Sequence, residues 1–431
     1  MPSRIAKKRL LASRRKKKKL VMSTVVSFGL PSARTNKRTN TPMDWETRVR
    51  NLTPRQFLRR YRIDHAGFKK IVERITPYLA PRSKFHPNQT SNELKLSMTL
   101  RWCAGASYLD VADMHGVSEG SFYRHLWETI YAIDQAYELP LYGWLNGSGD
   151  GVCNEERLAE LARGFDAKTT GGHFAGCIGA LDGICIKLDG STLSSTGNPA
   201  AFWCRKGFYS LNFQCICDAD GRILWCSTLC SGSAHDSTAL RLSQLGKLLM
   251  NPRHPIQHSP YWIAGDDAYK GPANESSSLL TPFGGTGLSA DKDAFNYYQS
   301  RLRMAIECCF GSMVHRWGVL QRKLKLTGQL AHCTKLLHVL CKLQNVCTES
   351  KLPEHRGRVM TDEYEGRHAA DLRGVDWAEW DIPEEYLDKP QGMGSARRAT
   401  ANAQPLREVL RGNLDRTGLE RAAHSTYAGY Q

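Results

Sequence analysis

A carboxylate in the middle of a long apolar run constrains this chain more than any other feature. Residues 174–188 read FAGCIGALDGICIKL, an apolar, thiol-bearing stretch of strand type with one acid, Asp182, inside it. Desolvating an unpaired carboxylate costs several kcal/mol or forces it neutral, so a fold that buries this strand must give Asp182 a partner. Two further acids stand in comparable settings. YWIAGDDAYK (261–270) runs from an apolar stretch into Asp266 and Asp267, and RLRMAIECCFG (301–311) carries Glu307.

The surrounding pattern says how the three acids meet. CIGALDGICIKL (177–188), SLNFQCICD (210–218), GRILWCSTLCSG (221–232) and YWIAG (261–265) read as strands. Asp218, Asp220 and Gly221 supply the turn between the second and third. HDSTALRLSQLGKLL (235–249) reads as one helix, which permits a crossover returning the fourth strand beside the first. A long helix is expected from about Ala294 to Leu320, with its apolar stripe at Leu302, Ile306, Cys309, Met313, Trp317 and Leu320. Arg303 and Glu307 sit one turn apart beside that stripe.

In such a sheet Asp182 and Asp266 lie on neighbouring strands, and Glu307 closes the group from a helix packed over them. Three crowded carboxylates repel one another, and hard divalent ions such as Mg²⁺ or Mn²⁺ relieve that by taking oxygen ligands. Two ions about 4 Å apart serve phosphodiester cleavage. Each acid also has a plainer reading: Asp182-Gly183 as a turn, Asp266 as a cap, Glu307 as a salt bridge to Arg303. Asp236 in SGSAHDS (231–237) and Asp267 compete as ligands. His235-Asp236 is expected to cap the helix that starts there, and Asp267 to point away from Asp266 on an extended chain.

From Asp44 to about Leu139 the pattern is helical. Helices are expected over 91–106, 107–116 and 117–134, with Gly116 stopping the second and Ser118 capping the third, whose apolar positions are Phe122, Leu126, Ile130 and Ile133. Two helices joined by a short glycine turn form the helix-turn-helix pattern, although an ordinary α-hairpin reads the same way. The exposed side of the last helix would present Ser121, Arg124 and His125 to DNA. Lys206, Arg301 and Arg303, which flank the acidic group, are further candidates for phosphate contact.

The charge is unevenly spread. The net charge is +17, and residues 1–60 hold 18 Lys and Arg against 2 Asp and Glu. That excess is a basic arm led by AKKRLLASRRKKKKL (6–20) and followed by RTNKR (34–38), two blocks that suit a bipartite nuclear import signal as well as phosphate binding. The KKKK block is too concentrated for a mitochondrial presequence, and LVMSTVVSFGL (20–30) is too short to span a bilayer. The 14 cysteines contain no C-x-x-C pair. HCTKLLHVLCKLQNVC (332–347) mixes His and Cys, but buried reduced thiols explain it better than zinc. The expected organisation is a disordered basic arm (1–42), a helical helix-turn-helix-like region (43–140), an α/β core (141–348) and a polar, largely flexible tail (349–431). The tail contains the acidic, aromatic stretch DWAEWDIPEEYLD (376–388).

Between residues 45 and 345 the chain resembles the PIF/Harbinger superfamily of DDE transposases and their domesticated derivatives. The matching pieces occur in the family's order: GALDGICIKL, WCRKGFYSLNFQCICDADGRI (203–223), GSAHDS (232–237), AGDDAY (264–269), LLTPF (279–283) and FNYYQSRLRMAIECCFGSMVHRWGVL (295–320). The resemblance implies a ribonuclease-H-like catalytic core, a mixed sheet flanked by helices, whose triad falls on Asp182, Asp266 and Glu307. It also implies two divalent ions, cleavage of DNA at element ends and joining to target DNA, and a nuclear protein working as a homo-oligomer, often with a Myb-like accessory protein. Asp267 departs from the family, where Ser is commoner, as does the strongly basic arm. Active transposase, domesticated DNA-binding protein and host nuclease all remain open from sequence.

Overall fold

The structure, a computed structural model, describes residues 43–79, 90–147, 153–168, 175–326, 330–350 and 405–416. The basic arm and residues 376–388 lie outside the described residues.

Helices lead. They are α1 (Trp45–Arg50), α2 (Pro54–Tyr61), α3 (His65–Ile75), α4 (Asn92–Cys103), α5 (Tyr108–His115), α6 (Glu119–Ala136), α7 (Leu141–Asn146) and α8 (Glu155–Asp166). Local chemistry sets several of their starts. Thr53 and Gln56 form a reciprocal capping box on α2, Ser91 caps α4, and the Ser118 hydroxyl accepts the Ser121 N–H at the start of α6. Gly116 takes the left-handed conformation that ends α5.

The sheet follows: β1 (Cys177–Lys187), β2 (Ser210–Cys217), β3 (Ile223–Ser231), then α9 (Asp236–Leu242), α10 (Gln244–Leu249), β4 (Trp262–Ala264), α11 (Lys270–Ala273) and β5 (Leu279–Leu280). Its order is β3-β2-β1-β4-β5. The β1–β2 and β2–β3 pairs are antiparallel, whereas β1–β4 and β4–β5 are parallel. The meander, crossover and return beside the first strand are as expected, and this mixed α/β sheet flanked by helices is consistent with a ribonuclease-H-like core.

The crossover differs from the single helix expected over 235–249. Ser243 is extended, and its hydroxyl accepts the Gly246 N–H at 2.8 Å to begin a second helix. A Cβ at position 246 would lie 1.9 Å from the Leu240 carbonyl oxygen, so only glycine permits this tight break.

The long helix α12 runs Ala290–Arg316, earlier at both ends than expected, and α13 spans Leu330–Glu349. Within the tail expected to be flexible, α14 (Pro405–Arg416) docks on α12: Arg411 pairs with Asp291, Leu410 is buried, and the Arg407 guanidinium sits 4.2 Å over the Phe283 ring. One apolar cluster runs from Phe57 and Tyr61 through α4 and α6 to one sheet face, α12 and α13. A second covers the other face with Leu141, Leu158, Leu240 and Leu249. The helical region and the sheet thus share a core. The cysteines are free thiols, Cys333, Cys341 and Cys347 among the buried ones. No described helix is long and apolar enough to cross a membrane.

Candidate active site

Parallel pairing of β1 with β4 sets the site. Ala180 is opposite Ala264, so Asp182, within β1, and Asp266, just past the end of β4, each stand two residues beyond that pair on adjacent parallel strands. Asp182 lies inside β1, opposite Cys215, which rules out the simple turn reading; its Oδ1 accepts the Gly183 N–H at 2.7 Å. β4 stops at Ala264, and Asp266 caps the tight turn that follows by accepting the Ala268 N–H at 2.9 Å. Glu307, exposed on α12, receives the Arg303 guanidinium at 3.2 Å. Asp267 pairs with Lys270 in the turn after Asp266; β4 has already ended, so strand alternation does not set its direction.

Electrostatics ties these groups together. Burial pushes the Asp182 carboxyl up to about 7; Arg303 opposes this, while the charges of Asp266 and Glu307 add to it. Burial also raises Asp266, again against Arg303, with Asp236 and Asp267 adding to the rise. One guanidinium therefore faces several acids, and the negative charge is incompletely balanced. Hard oxygen donors carrying surplus negative charge are the donor set that a divalent cation takes. Among the described residues, however, no three His, Cys, Asp or Glu side chains are gathered closely enough to hold a metal ion.

Asp236 has a role that its sequence position did not reveal. Neither it nor His235 caps α9 through a side chain. Instead its Oδ1 accepts the amides of Asn212 at 2.8 Å and Gln214 at 2.7 Å, and Gln214 in turn accepts the Tyr269 hydroxyl at 2.5 Å. Gln214 is opposite Gly183, so this network lies on the face of β1 away from the Asp182 side chain. A Cβ on Gly183 would come within 2.6 Å of the Asp236 carboxylate and 2.5 Å of the Gln214 amide. Burial, then Asp236, Asp182 and Asp266, keep the Tyr269 hydroxyl protonated, well above its usual range. The one sequence signal for this arrangement was the alternation that puts Asn212 and Gln214 on one strand face.

The residues expected to meet DNA fare differently. Arg124 is exposed and donates to the Ser121 hydroxyl at 3.2 Å. His125 is a correction: it is buried at 8% exposure, its Nδ1 lies 3.3 Å from Glu128, and burial lowers its basicity. The cause is the packing of α6, where Glu128 also pairs at 3.0 Å with the buried Lys95 of α4. Lys206 is exposed on the turn before β2, Arg301 is exposed with its guanidinium 5.8 Å from the Tyr297 ring, and Arg303 faces the acids.

Residues 181–345 match the family model described as DDE superfamily endonuclease. The matched stretch contains Asp182, Asp236, Asp266 and Glu307. It supports a DDE transposase-like family and an enzyme of the nuclease or transposase type in general, a class that generally uses divalent metals. No curated protein and no solved structure matches the chain.

Proposed function

We propose that this chain is a metal-dependent DNA endonuclease and strand-transferase of the PIF/Harbinger type, cutting phosphodiester bonds at element ends. The reading rests on the charges of Asp266, just past β4, and Glu307, on α12, both acting on the buried Asp182 of β1, inside the stretch matched to DDE endonucleases. Asp182 and Asp266 would hold Mg²⁺ or Mn²⁺ beside the scissile phosphate, and Glu307 would complete the second of two ion sites. Ions bound there would activate a water or 3′-hydroxyl and stabilise the leaving oxygen.

The chain's own groups prepare for this. The Gly183 and Ala268 N–H groups aim the two aspartates. Asp182 gives up its proton on becoming a ligand, which makes cation binding favour alkaline pH. Arg303 neutralises Glu307 until a cation competes for that carboxylate. Arg124, Ser121, Lys206 and Arg301 are the surface groups offered for DNA contact, with the basic arm adding salt-sensitive affinity and nuclear import. Joining two element ends calls for a homo-oligomer, and a Myb-like accessory protein fits the same scheme.

A second reading is a domesticated nuclear DNA-binding or scaffold protein without transposition. It is favoured by the Glu307–Arg303 ion pair and by the lack of a gathered ligand set among the described residues. Cleavage of DNA carrying the gene's flanking ends decides between them, comparing wild type with Glu307→Gln in Mg²⁺, Mn²⁺ and chelator. Cuts at the ends by wild type alone, lost in chelator, support the transposase. Specific binding without cuts, even with a Myb-like partner added, overturns it.

A further inference from the structure

Positive charge collects at one place in the helical region where no acid among the described residues pairs with it. Arg48 of α1, Arg60 of α2 and Arg101 of α4 come from three helices to surround Tyr61. Their guanidinium groups donate to neutral acceptors: Arg101 to the Arg60 carbonyl at 3.4 Å, Arg60 to the Gln56 carbonyl at 3.1 Å, and Arg48 to the Met114 sulfur at 3.9 Å. The Nε atoms of Arg48 and Arg101 are buried without a hydrogen-bond partner. Other arginines on this protein have carboxylates, as in Arg50–Glu46, Arg157–Glu160 and Arg241–Glu275. Among the described residues none pairs with Arg48, Arg60 or Arg101.

The neighbours register the same field. Burial lowers Arg101, and Arg60, Arg48 and Arg62 lower it further with only Tyr61 opposing. His115 is pushed down to about 4 by burial, with Arg101 and Arg48 contributing against the Val111 carbonyl. His315 is lowered by burial and then by Arg62 and Arg316. Holding half-buried like charges together destabilises a fold, so the arrangement calls for an anion that contacts among the described residues do not supply.

We propose that Arg48, Arg60 and Arg101 form a binding site for the phosphate backbone of duplex DNA. Guanidinium forks match phosphate oxygens in geometry and charge. The site also adjoins the end of the helix that carries Glu307. Arg316 donates to the Arg62 carbonyl at 3.2 Å, and it lies nine residues along α12 from Glu307, about 13 Å of helix axis. This inference rests on the reading of DNA as the substrate.

The test is fluorescence anisotropy of a short labelled duplex of arbitrary sequence with the full chain, in chelator, across a potassium chloride series. The Arg60→Gln/Arg101→Gln double variant should bind about ten-fold more weakly and lower the slope of log affinity against log salt by about 1 to 2. Arg60→Lys/Arg101→Lys, which keeps the charge, should restore most of the slope. An unchanged slope in a Gln variant that retains wild-type circular dichroism overturns the proposal. If the double Gln variant does not fold, single Arg60→Gln decides: a slope reduced by about 1 supports the site and an unchanged slope refutes it. Stabilisation by inorganic phosphate with duplex binding untouched by the variants would assign the site to free phosphate and overturn the DNA assignment. Because binding is read without metal, a loss of slope with no cleavage by wild type would sink the nuclease reading and leave this site standing.

Discussion

The acidic site and the arginine cluster both crowd like charges, but they handle the repulsion in opposite ways. Each acid has a separate anchor: a Gly183 N–H for Asp182, an Ala268 N–H for Asp266, Arg303 for Glu307, and two amides for Asp236. One cation, Arg303, sits among them and works against the rise in both aspartates. The arginines instead lean on carbonyls and a thioether, with no counter-charge among the described residues. An acidic group with one resident guanidinium suits exchange of that guanidinium for a metal ion. A basic group with none suits an anion arriving from outside. The two regions thus differ in whether their surplus charge is met from within the described part of the chain.

The contrast breaks most completely at Asp182. Asp182→Asn should lower metal-dependent cleavage at least about a thousand-fold while leaving duplex affinity in chelator within two-fold of wild type. The same variant sharpens the electrostatic side. A carboxyl raised from 3.8 to about 7 stabilises the fold least when ionised, so stability falls as pH rises from about 4 through 7. In chelator above pH 7, Asp182→Asn should therefore melt a few degrees higher than wild type; a lower melting temperature would show that the carboxylate is well compensated.

On the basic side, His115 reports the field. Its folded value near 4 lies below the ordinary 6.5, so the unfolded chain takes up the proton first. Stability should decline as pH falls from about 6.5 to 4, by about 3 kcal/mol, and His115→Gln should flatten that decline in urea titrations at the two pH values. A smaller effect is expected at Gly183. Gly183→Ala would push its methyl against Asp236 and Gln214 and should cost about 1–3 kcal/mol, read from thermal unfolding. Asp236→Ala in the same background should recover part of that loss. Least is expected of Arg124→Gln, which should change duplex affinity less than two-fold if the arginine cluster dominates this region. A loss as large as that of the Arg60/Arg101 variant would return DNA contact to the exposed face of α6.

Much of this was legible in the chain. The switch from helical to strand period, the Ser118 cap and the Gly116 stop act over a few residues, so they survive translation from sequence to structure. The placement of Asp182 inside a strand and of Glu307 beside a helical stripe was legible because it follows from local pattern, whereas Asp266 falls in the turn after β4. The missing details arise from contacts that periodicity does not encode, most of them between distant segments. His125 turned inward because Glu128 was drawn to Lys95, thirty-three residues earlier. The helix over 235–249 broke because Gly246 packs against the Leu240 carbonyl. Docking of α14 on α12 depended on Asp291, far from Arg411 in sequence.

By itself, then, the sequence determined the elements, their order and the three acids that charge alone makes conspicuous, since periodicity and capping are short-range. Tertiary structure decided how the charges are compensated: Arg303 set among the acids, Asp236 on the far face of β1, and three arginines left facing one another. Coulomb interactions act through space rather than along the chain, so which charges meet, and which are left unmatched, is settled only when the chain has folded.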